Sequence, residues 1–307
     1  AEDMEFLKFV SLHGKSYGTK EEFEFRSEIF KKTLANLALE NSRNENTFRL
    51  ALNKFADWTP AEYRRMLSYR PLGKNNKVAA VSNVQLPTSI DWRDKNAINP
   101  VRDQGQCGSC WAFSAVGAME PRVFIKGIDK YGLLQLSEQQ LVDCAGGSYG
   151  NEGCNGGDMG AAFQYAQDYG MMNRTDYPYT AQDGNCAYDG TKVTKAKPSG
   201  NTQVTPNSAV ALKTAIADGP VSVAIEADTF VFQFYSGGIL NSAACGTNLD
   251  HGVVAIGYGV DPTKGEYYIV RNSWGASWGM RGYINIAIKD GGPGICGIQM
   301  EPVYPDF

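Results

Sequence analysis

The sequence predicts an α+β protein with a helical lobe, a sheet-rich lobe and a cleft between them, preceded by a small helical N-terminal domain. Three features lead there. Helix-period apolar spacing governs the chain to about residue 170, period-two runs take over after Pro220, and all seven cysteines lie beyond residue 100. At 307 residues the chain exceeds the roughly 100–200 residues usual for one domain, so a large two-lobed unit or two smaller ones are expected. Hydrophobic residues at 43% and charged residues at 20% place it in the globular range and against disorder. No stretch reaches the roughly 18–20 apolar residues of a membrane helix, because glycines interrupt the most apolar segment, residues 253–260.

The elements follow in order. Residues 4–10 and 21–40 carry apolar side chains at helical spacing, with Phe23, Ile29, Phe30, Leu34 and Leu37 on one face of the second helix. Residues 47–52 alternate as a short strand. Thr59-Pro60-Ala61-Glu62 combines an N-cap, a Pro at the first helical position and a capping-box Glu, predicting a helix over residues 60–69. Residues 70–83 lack periodicity and read as an extended, exposed and cleavable linker, so residues 1–82 and 83–307 are expected as separate units. In the second unit, residues 112–125 form a long apolar helix, Ser137 caps another and residues 158–169 make a third. Beyond Pro220, strands are expected over residues 221–227, 252–258, 266–270 and 281–288.

Net charge is −4 from 29 basic and 33 acidic residues, and no dense Lys/Arg patch offers nucleic acid an electrostatic footprint. Divided at the linker, residues 1–82 hold 14 Lys/Arg and 11 Asp/Glu, net +3, leaving 15 and 22, net −7, for the remainder. The two units are thus electrostatically complementary. Ala1-Glu2-Asp3-Met4 lacks the charged-then-apolar pattern of a signal, so a leader is expected to be removed already or left out.

Seven cysteines suggest three disulfides in an oxidising compartment plus one free thiol, the bland alternative being seven reduced core cysteines. Cys107-Gly108-Ser109-Cys110-Trp111 places Cys110 at the start of the long apolar helix, where exposed N–H groups and the helix dipole should lower a thiol pKa. Taken alone, Cys107-x-x-Cys110 also reads as a redox pair or half of a metal site. The chain has two histidines, His13 and His251, and only His251 lies in the cysteine-bearing unit. Asn272 in Arg271-Asn272-Ser273-Trp274 could orient its imidazole, with Trp274 shielding the bond. Nucleophile, base and orienter are then all present.

At these residues the sequence resembles the papain-like cysteine peptidases, in particular cathepsin L-type proenzymes; Cys-Gly-Ser-Cys-Trp is a known signature of that family. Gly153-Cys154-Asn155-Gly156-Gly157, Tyr177-Pro178-Tyr179 and Gly219-Pro220-Val221-Ser222-Val223 extend the likeness over nearly the whole chain, although Asn272 lies farther from Cys110 than the family spacing. The resemblance implies a papain-like two-lobed fold with Cys110, His251, Asn272 and the oxyanion-hole residue Gln104 as catalytic residues. It implies substrate pairing at Gly156 and Gly157, contacts at Asp250 and Trp274, and a specificity pocket with Met159, Ala224 and Leu249 as walls and Glu301 at its floor. That pocket would accept hydrophobic side chains and Arg. It also implies bridges Cys107–Cys154, Cys144–Cys186 and Cys245–Cys296, with no metal and no organic cofactor.

Glu22, Arg26, Ile29, Phe30 and Asn41, then Asn53, Phe55 and Asp57, resemble the family's inhibitory propeptide, with departures at Thr33, Leu37 and Ala51 that put local hydrogen bonds in question. The implied protein is a zymogen, activated by proteolysis at acidic pH, whose linker lies through the cleft against the substrate direction. Its partners would be protein and peptide substrates, its own propeptide and cystatin-type inhibitors. It would be a monomer in a lysosomal or other acidic endosomal or vacuolar compartment, or secreted. Two rivals remain open at this point: an inhibitory binding protein and a thiol oxidoreductase. Asn173-Arg174-Thr175 is a glycosylation acceptor triplet.

Overall fold

The computed structural model describes residues 1–73, 77–82 and 84–307. Lys74, Asn75 and Asn76 of the expected linker, and Asn83 at the expected start of the second unit, lie outside the described residues.

Helices α1 (Glu2–Leu12) and α2 (Lys20–Asn41) cross through an aromatic seam in which Phe6 and Phe9 lie 5.3 and 5.0 Å from the Phe30 ring. Thr19 caps α2 by accepting from Glu22 N at 3.1 Å. The departure at Thr33 is satisfied locally, since its buried hydroxyl donates to the Ile29 and Ala56 carbonyls at 3.1 Å. At Ala51 the backbone N–H donates to Phe234 O at 2.9 Å. Helix α3 (Pro60–Arg64) opens with the expected capping box at Thr59 and Glu62. It is shorter than the expected 60–69, however. Three i→i−3 bonds tighten the chain from Arg65 to Leu67, and Ser68–Arg70 are then drawn into extended pairing with Gly157. Arg26 ties α2 to α3, its guanidinium donating to both Glu62 oxygens at 2.6 Å and to Glu22 at 2.7 Å.

In the second unit, α4 (Cys110–Ile125) is buried over nearly its whole length and packs against α5 (Glu138–Cys144) and α6 (Met159–Tyr169). Ser137 and Asp158 cap α5 and α6 as read from the sequence. The strands are β1 (Phe48–Leu50), β2 (Lys77–Val78), β3 (Ile90–Asp91), β4 (Gly200–Gln203), β5 (Val221–Ile225), β6 (Tyr235–Leu240), β7 (His251–Asp261), β8 (Gly265–Arg271), β9 (Tyr283–Ala287) and β10 (Val303–Asp306). Among the elements that the sequence does not announce are β4, β6, β10 and helix α7 (Ala209–Asp218). Gly200, Gly237, Gly238 and Pro305 obscure the strands, whereas α7 carries a legible Ser208 cap.

The sheet runs β1-β6-β9-β8-β7-β5-β10-β4-β2, so strands from the N-terminal unit and linker cover both of its ends. At one end β1 pairs antiparallel with β6; at the other, β2 pairs in parallel with β4 through Lys77↔Thr202 and Val78↔Gln203. The described linker residues are therefore extended and mostly exposed, as expected, but partly hydrogen-bonded. Disulfides join Cys107–Cys154, Cys144–Cys186 and Cys245–Cys296, leaving Cys110 as the free, buried cysteine. Because Cys107 is bridged to Cys154, no redox pair with Cys110 exists. No helix among the described residues is long and apolar enough to cross a membrane.

The expected charge complementarity is narrower than the +3 and −7 totals suggest. Among the described residues two ion pairs join residues 1–73 to the peptidase unit: Lys54–Asp103 at 3.0 Å and Arg70–Glu152 at 2.6 Å. Both carboxylates are half-exposed, which limits each pair to about 0–1 kcal/mol. Most charged pairs of the N-terminal unit are internal to it.

Arg26 holds the Glu62 carboxyl down to about 2 through its side-chain hydrogen bonds, partly opposed by burial. A depressed carboxylate stabilises above its ordinary 4.5 and loses that contribution as pH falls toward 2. In a chain silenced by Cys110→Ala, Glu62→Gln should cost about 1–2 kcal/mol at pH 7, discounted for partial exposure. That deficit should shrink to about a quarter at pH ~2.5, because the folded carboxyl is still mostly ionised above about 2, and thermal unfolding at the two pH values will measure it. A deficit of equal size at both would show that this pair is not a titrating contact.

Candidate active site

The site is assembled at the junction of α4 with the β7–β8 hairpin. β7 pairs antiparallel with β8, Val254 opposite Arg271, so His251 at the start of β7 and Asn272 just past β8 lie side by side. Helix α4 packs on β7 and brings Cys110, its first residue, to the same place; Gly252 N donates to Cys110 Sγ at 3.5 Å. His251 Nε2 lies 2.8 Å from Asn272 Oδ1. That oxygen also accepts from Ser273 N at 2.8 Å, which marks it as an acceptor and requires the His251 proton to sit on Nε2. Nδ1 is thereby left as a lone pair, buried and, among the described residues, without a hydrogen-bond partner.

Trp274 lies 4.8 Å from the His251 ring at an interplanar angle of 31° and screens the His–Asn bond. Phe55 and Tyr63 of the N-terminal unit cover the Trp274 ring edge-on at 5.3 and 5.5 Å. Tyr63 is anchored by its hydroxyl, which donates to Ala227 O at 2.5 Å.

Gln104 is fully buried. Its Nε2 donates to Cys107 O at 2.9 Å and to Met66 O at 3.0 Å, and its Oε1 accepts from Ser273 Oγ at 2.7 Å. Ser273 thus fixes the amide's orientation, with Nε2 toward Met66 O and Cys107 O. Sequence reasoning passed over it, although it sits in the same tetrapeptide as Asn272 and Trp274.

Residues 66–70 fill the cleft in a defined direction. Ser68 O accepts from Gly157 N at 3.0 Å and Arg70 N donates to Gly157 O at 2.9 Å, a parallel bridge centred on Tyr69 and Gly157. The Ser68 backbone N–H points at Cys110 Sγ. Gly156, at φ +124°, permits this approach, because a Cβ there would stand 2.4 Å from Ser68 O.

Tyr69 is buried in an apolar cluster with Met159 and Ala224, and Leu249 packs against it. Its N–H donates to Asp250 O at 2.9 Å. Glu301 borders the same cavity as Tyr69 and Met159; burial, then the neighbouring Asp158, raises its carboxyl pKa. The structure thus brings His251, Asn272 and Trp274 together beside Cys110, sets Gly156 and Gly157 against residues 68–70, and gathers Met159, Ala224 and Leu249 near Tyr69, with Glu301 on the cavity that Tyr69 and Met159 border.

Burial reverses the expected thiol chemistry. The sequence placed Cys110 where helix N–H groups should lower its pKa, yet burial raises it, with the Gly252, Ser68 and Trp111 N–H groups only partly opposing. His251 is pushed down to about 4 by burial, against the Asn272 bond. Thiol and neutral imidazole are thus the resting pair. Asp250 is pushed up to about 7 by burial and then by Asp228 and Glu226, two carboxylates that carried no sequence motif.

Comparison with known proteins agrees with this geometry. Residues 86–306 match the papain family cysteine protease description, and residues 6–63 match the cathepsin propeptide inhibitor domain (I29). The chain is 41% identical to digestive cysteine proteinase 3 of Homarus americanus, over 97% of this chain and 92% of that protein. It is 40% identical to procathepsin L of Mus musculus, over 98% and 91% respectively. Among solved structures, a recombinant stem bromelain precursor superposes with a TM-score of 0.91 at 36% identity, covering 100% of this chain and 99% of that one. Digestive procathepsin L 3 of Tenebrio molitor larval midgut gives 0.89 at 37%, with the same coverage. With both halves of such a precursor present and the first lying across the cleft of the second, the chain belongs to the papain family of cysteine proteases and is a proenzyme of the procathepsin L-like kind.

Proposed function

We propose that Cys110 is the nucleophile, His251 the general base and acid, Asn272 the group that orients His251, and Gln104 with the Cys110 N–H the oxyanion hole of an endopeptidase. The observation that carries this reading is the hydrogen-bonded order Ser273–Asn272–His251, which leaves the Nδ1 lone pair buried and, among the described residues, without a hydrogen-bond partner, while Cys110 Sγ accepts from the N–H of the next residue, Gly252. Once residues 66–70 leave, the thiol proton moves to Nδ1 and the thiolate attacks a peptide carbonyl carbon. The oxyanion then accepts from Gln104 Nε2, replacing Met66 O. His251 returns its proton to the leaving amine, and water, deprotonated by the same imidazole, releases the acyl-enzyme.

The propeptide resists this chemistry because its direction presents an N–H, not a carbonyl carbon, to Sγ. Activation is proteolytic and acid-driven, with cleavage in the exposed stretch between Lys77 and Leu86. Docked, the dyad is thiol plus imidazole; released, it is thiolate plus imidazolium. One proton moves within the pair and none is taken up, so the dyad lends the release little pH dependence between the extreme pKa values. The acid response resides instead in the propeptide. His13 is lowered by burial and then by Lys15, so its contribution is present above 6.5 and lost as pH falls below that value. Glu62 adds its loss between 4.5 and 2. The compartment is acidic, lysosomal, endosomal or vacuolar, or extracellular, in keeping with three disulfides. Cystatin-type inhibitors are the expected partners of the released, monomeric enzyme.

Incubating the purified chain at pH 4–5 should shorten it to a peptidase beginning between residues 78 and 86, with hydrolysis of a fluorogenic peptide rising in step. The Cys110→Ala chain should stay intact and inactive, yet loosen its propeptide over the same pH range, as read by hydrogen exchange at β1. Loosening that shifts with Cys110→Ala would place the acid sensor at the dyad.

Met159, Ala224 and Leu249 with Glu301 form the pocket for the side chain two residues before the scissile bond, which takes hydrophobic residues and, through Glu301, Arg. Tyr69 occupies the same apolar cluster in the zymogen. A half-buried Arg–carboxylate contact is worth about 1.5–3 kcal/mol. Glu301→Ala should therefore lower kcat/KM for an Arg-Arg substrate about 10- to 100-fold while leaving a Leu-Arg substrate within about twofold. A preserved ratio between the two substrates would exclude Glu301 from the pocket.

A further inference from the structure

A cavity of about 480 Å³ lies away from the catalytic cleft, where the propeptide meets the peptidase. Phe25, Ile29 and Tyr63, from α2 and α3, form one wall, and Phe230 and Phe234 form the other. Its volume falls in the roughly 300–1,000 Å³ range of small-molecule sites, and such sites favour domain interfaces. Lys32 and Arg64 stand exposed on its rim. Neither makes an ion pair or side-chain hydrogen bond among the described residues, although most other cations of the propeptide do.

We infer that this cavity is a binding site for an aromatic organic anion that locks the propeptide onto the enzyme. The apolar walls are largely aromatic and suit a flat ring system. The two unpaired cations suit a carboxylate or sulfonate on one end of it. Asp228, bordering the cavity from the peptidase side, repels an anion placed against Phe230 and so fixes the orientation, ring toward Phe230 and Phe234, charge toward Lys32 and Arg64. Because the walls belong to different units, an occupant binds the docked zymogen and loses half its contacts on release. By linkage it must then oppose release.

The test uses 8-anilinonaphthalene-1-sulfonate and the Cys110→Ala chain, which keeps its propeptide. Fluorescence titration should show one saturable site. Lys32→Glu with Arg64→Glu should raise its Kd at least tenfold with an unchanged circular dichroism spectrum, and uncharged N-phenyl-1-naphthylamine should bind the parent at least tenfold more weakly. Binding unaffected by the charge reversal, or equal binding of the uncharged probe, would overturn the site. The locking claim also rests on acid-driven processing. In wild-type protein at pH 4–5, the sulfonate at ten times its Kd should slow processing about elevenfold, and not at all in the double variant. An unchanged processing rate despite saturable binding would overturn the locking. Absence of processing without any ligand would sink the acid-activation reading alone, since the titration still decides the site.

Discussion

The direction in which residues 66–70 cross the cleft governs the resting state of this proenzyme. Their parallel pairing with Gly157 turns an amide N–H toward the nucleophile, delivers the Met66 carbonyl to Gln104 and sets Tyr69 among Met159, Ala224 and Leu249. Each contact takes a place that the proposed mechanism assigns to substrate. Cys110 and His251 are both fully buried, and desolvation penalises charge on both. Latency is thus geometric and electrostatic at once.

Apolar and main-chain contacts hold the two units together more than charge does. Phe55 and Tyr63 close over Trp274, Tyr63 bonds to Ala227 O, and Asn53 Nδ2 donates to Gln233 O at 2.8 Å, whereas both cross-unit ion pairs are solvent-screened. Strong ionic contacts lie inside the propeptide instead, where Arg26 joins Glu22 and Glu62.

Much of the site was legible because its chemistry uses rare residue types. One histidine in the peptidase unit, one cysteine left over by parity and an Asn beside a Trp leave few combinations, and α4 and β7 carry unambiguous periodicity. What escaped was set by tertiary contact. The third helix stops at Arg64 because Ser68–Arg70 find a better partner in Gly157 than in the next helical turn. The thiol's pKa followed burial that no local motif encodes. Asp228 and Glu226 approach Asp250 only through the register of β5 with β7, in which Ile225 faces His251. Strands containing Gly237-Gly238 or Pro305 lacked the β-rich composition that makes a strand visible.

The propeptide strands at both ends of the sheet carry a consequence for the life of the chain. β1 lies so close along β6 that a Cβ at Gly238 would meet Thr47 O at 2.4 Å, and β2 continues the sheet past β4. During synthesis these N-terminal segments exist before the strands that they will flank, so the nascent sheet can close against its own leader and never presents a bare row of amides to another chain. Cleavage at the proposed place, past β2, would remove both covers from a sheet already formed. The brevity of β4 and the paired glycines of β6 then become the safeguard against self-association, and refolding without the propeptide must pass through the unprotected state that synthesis avoids.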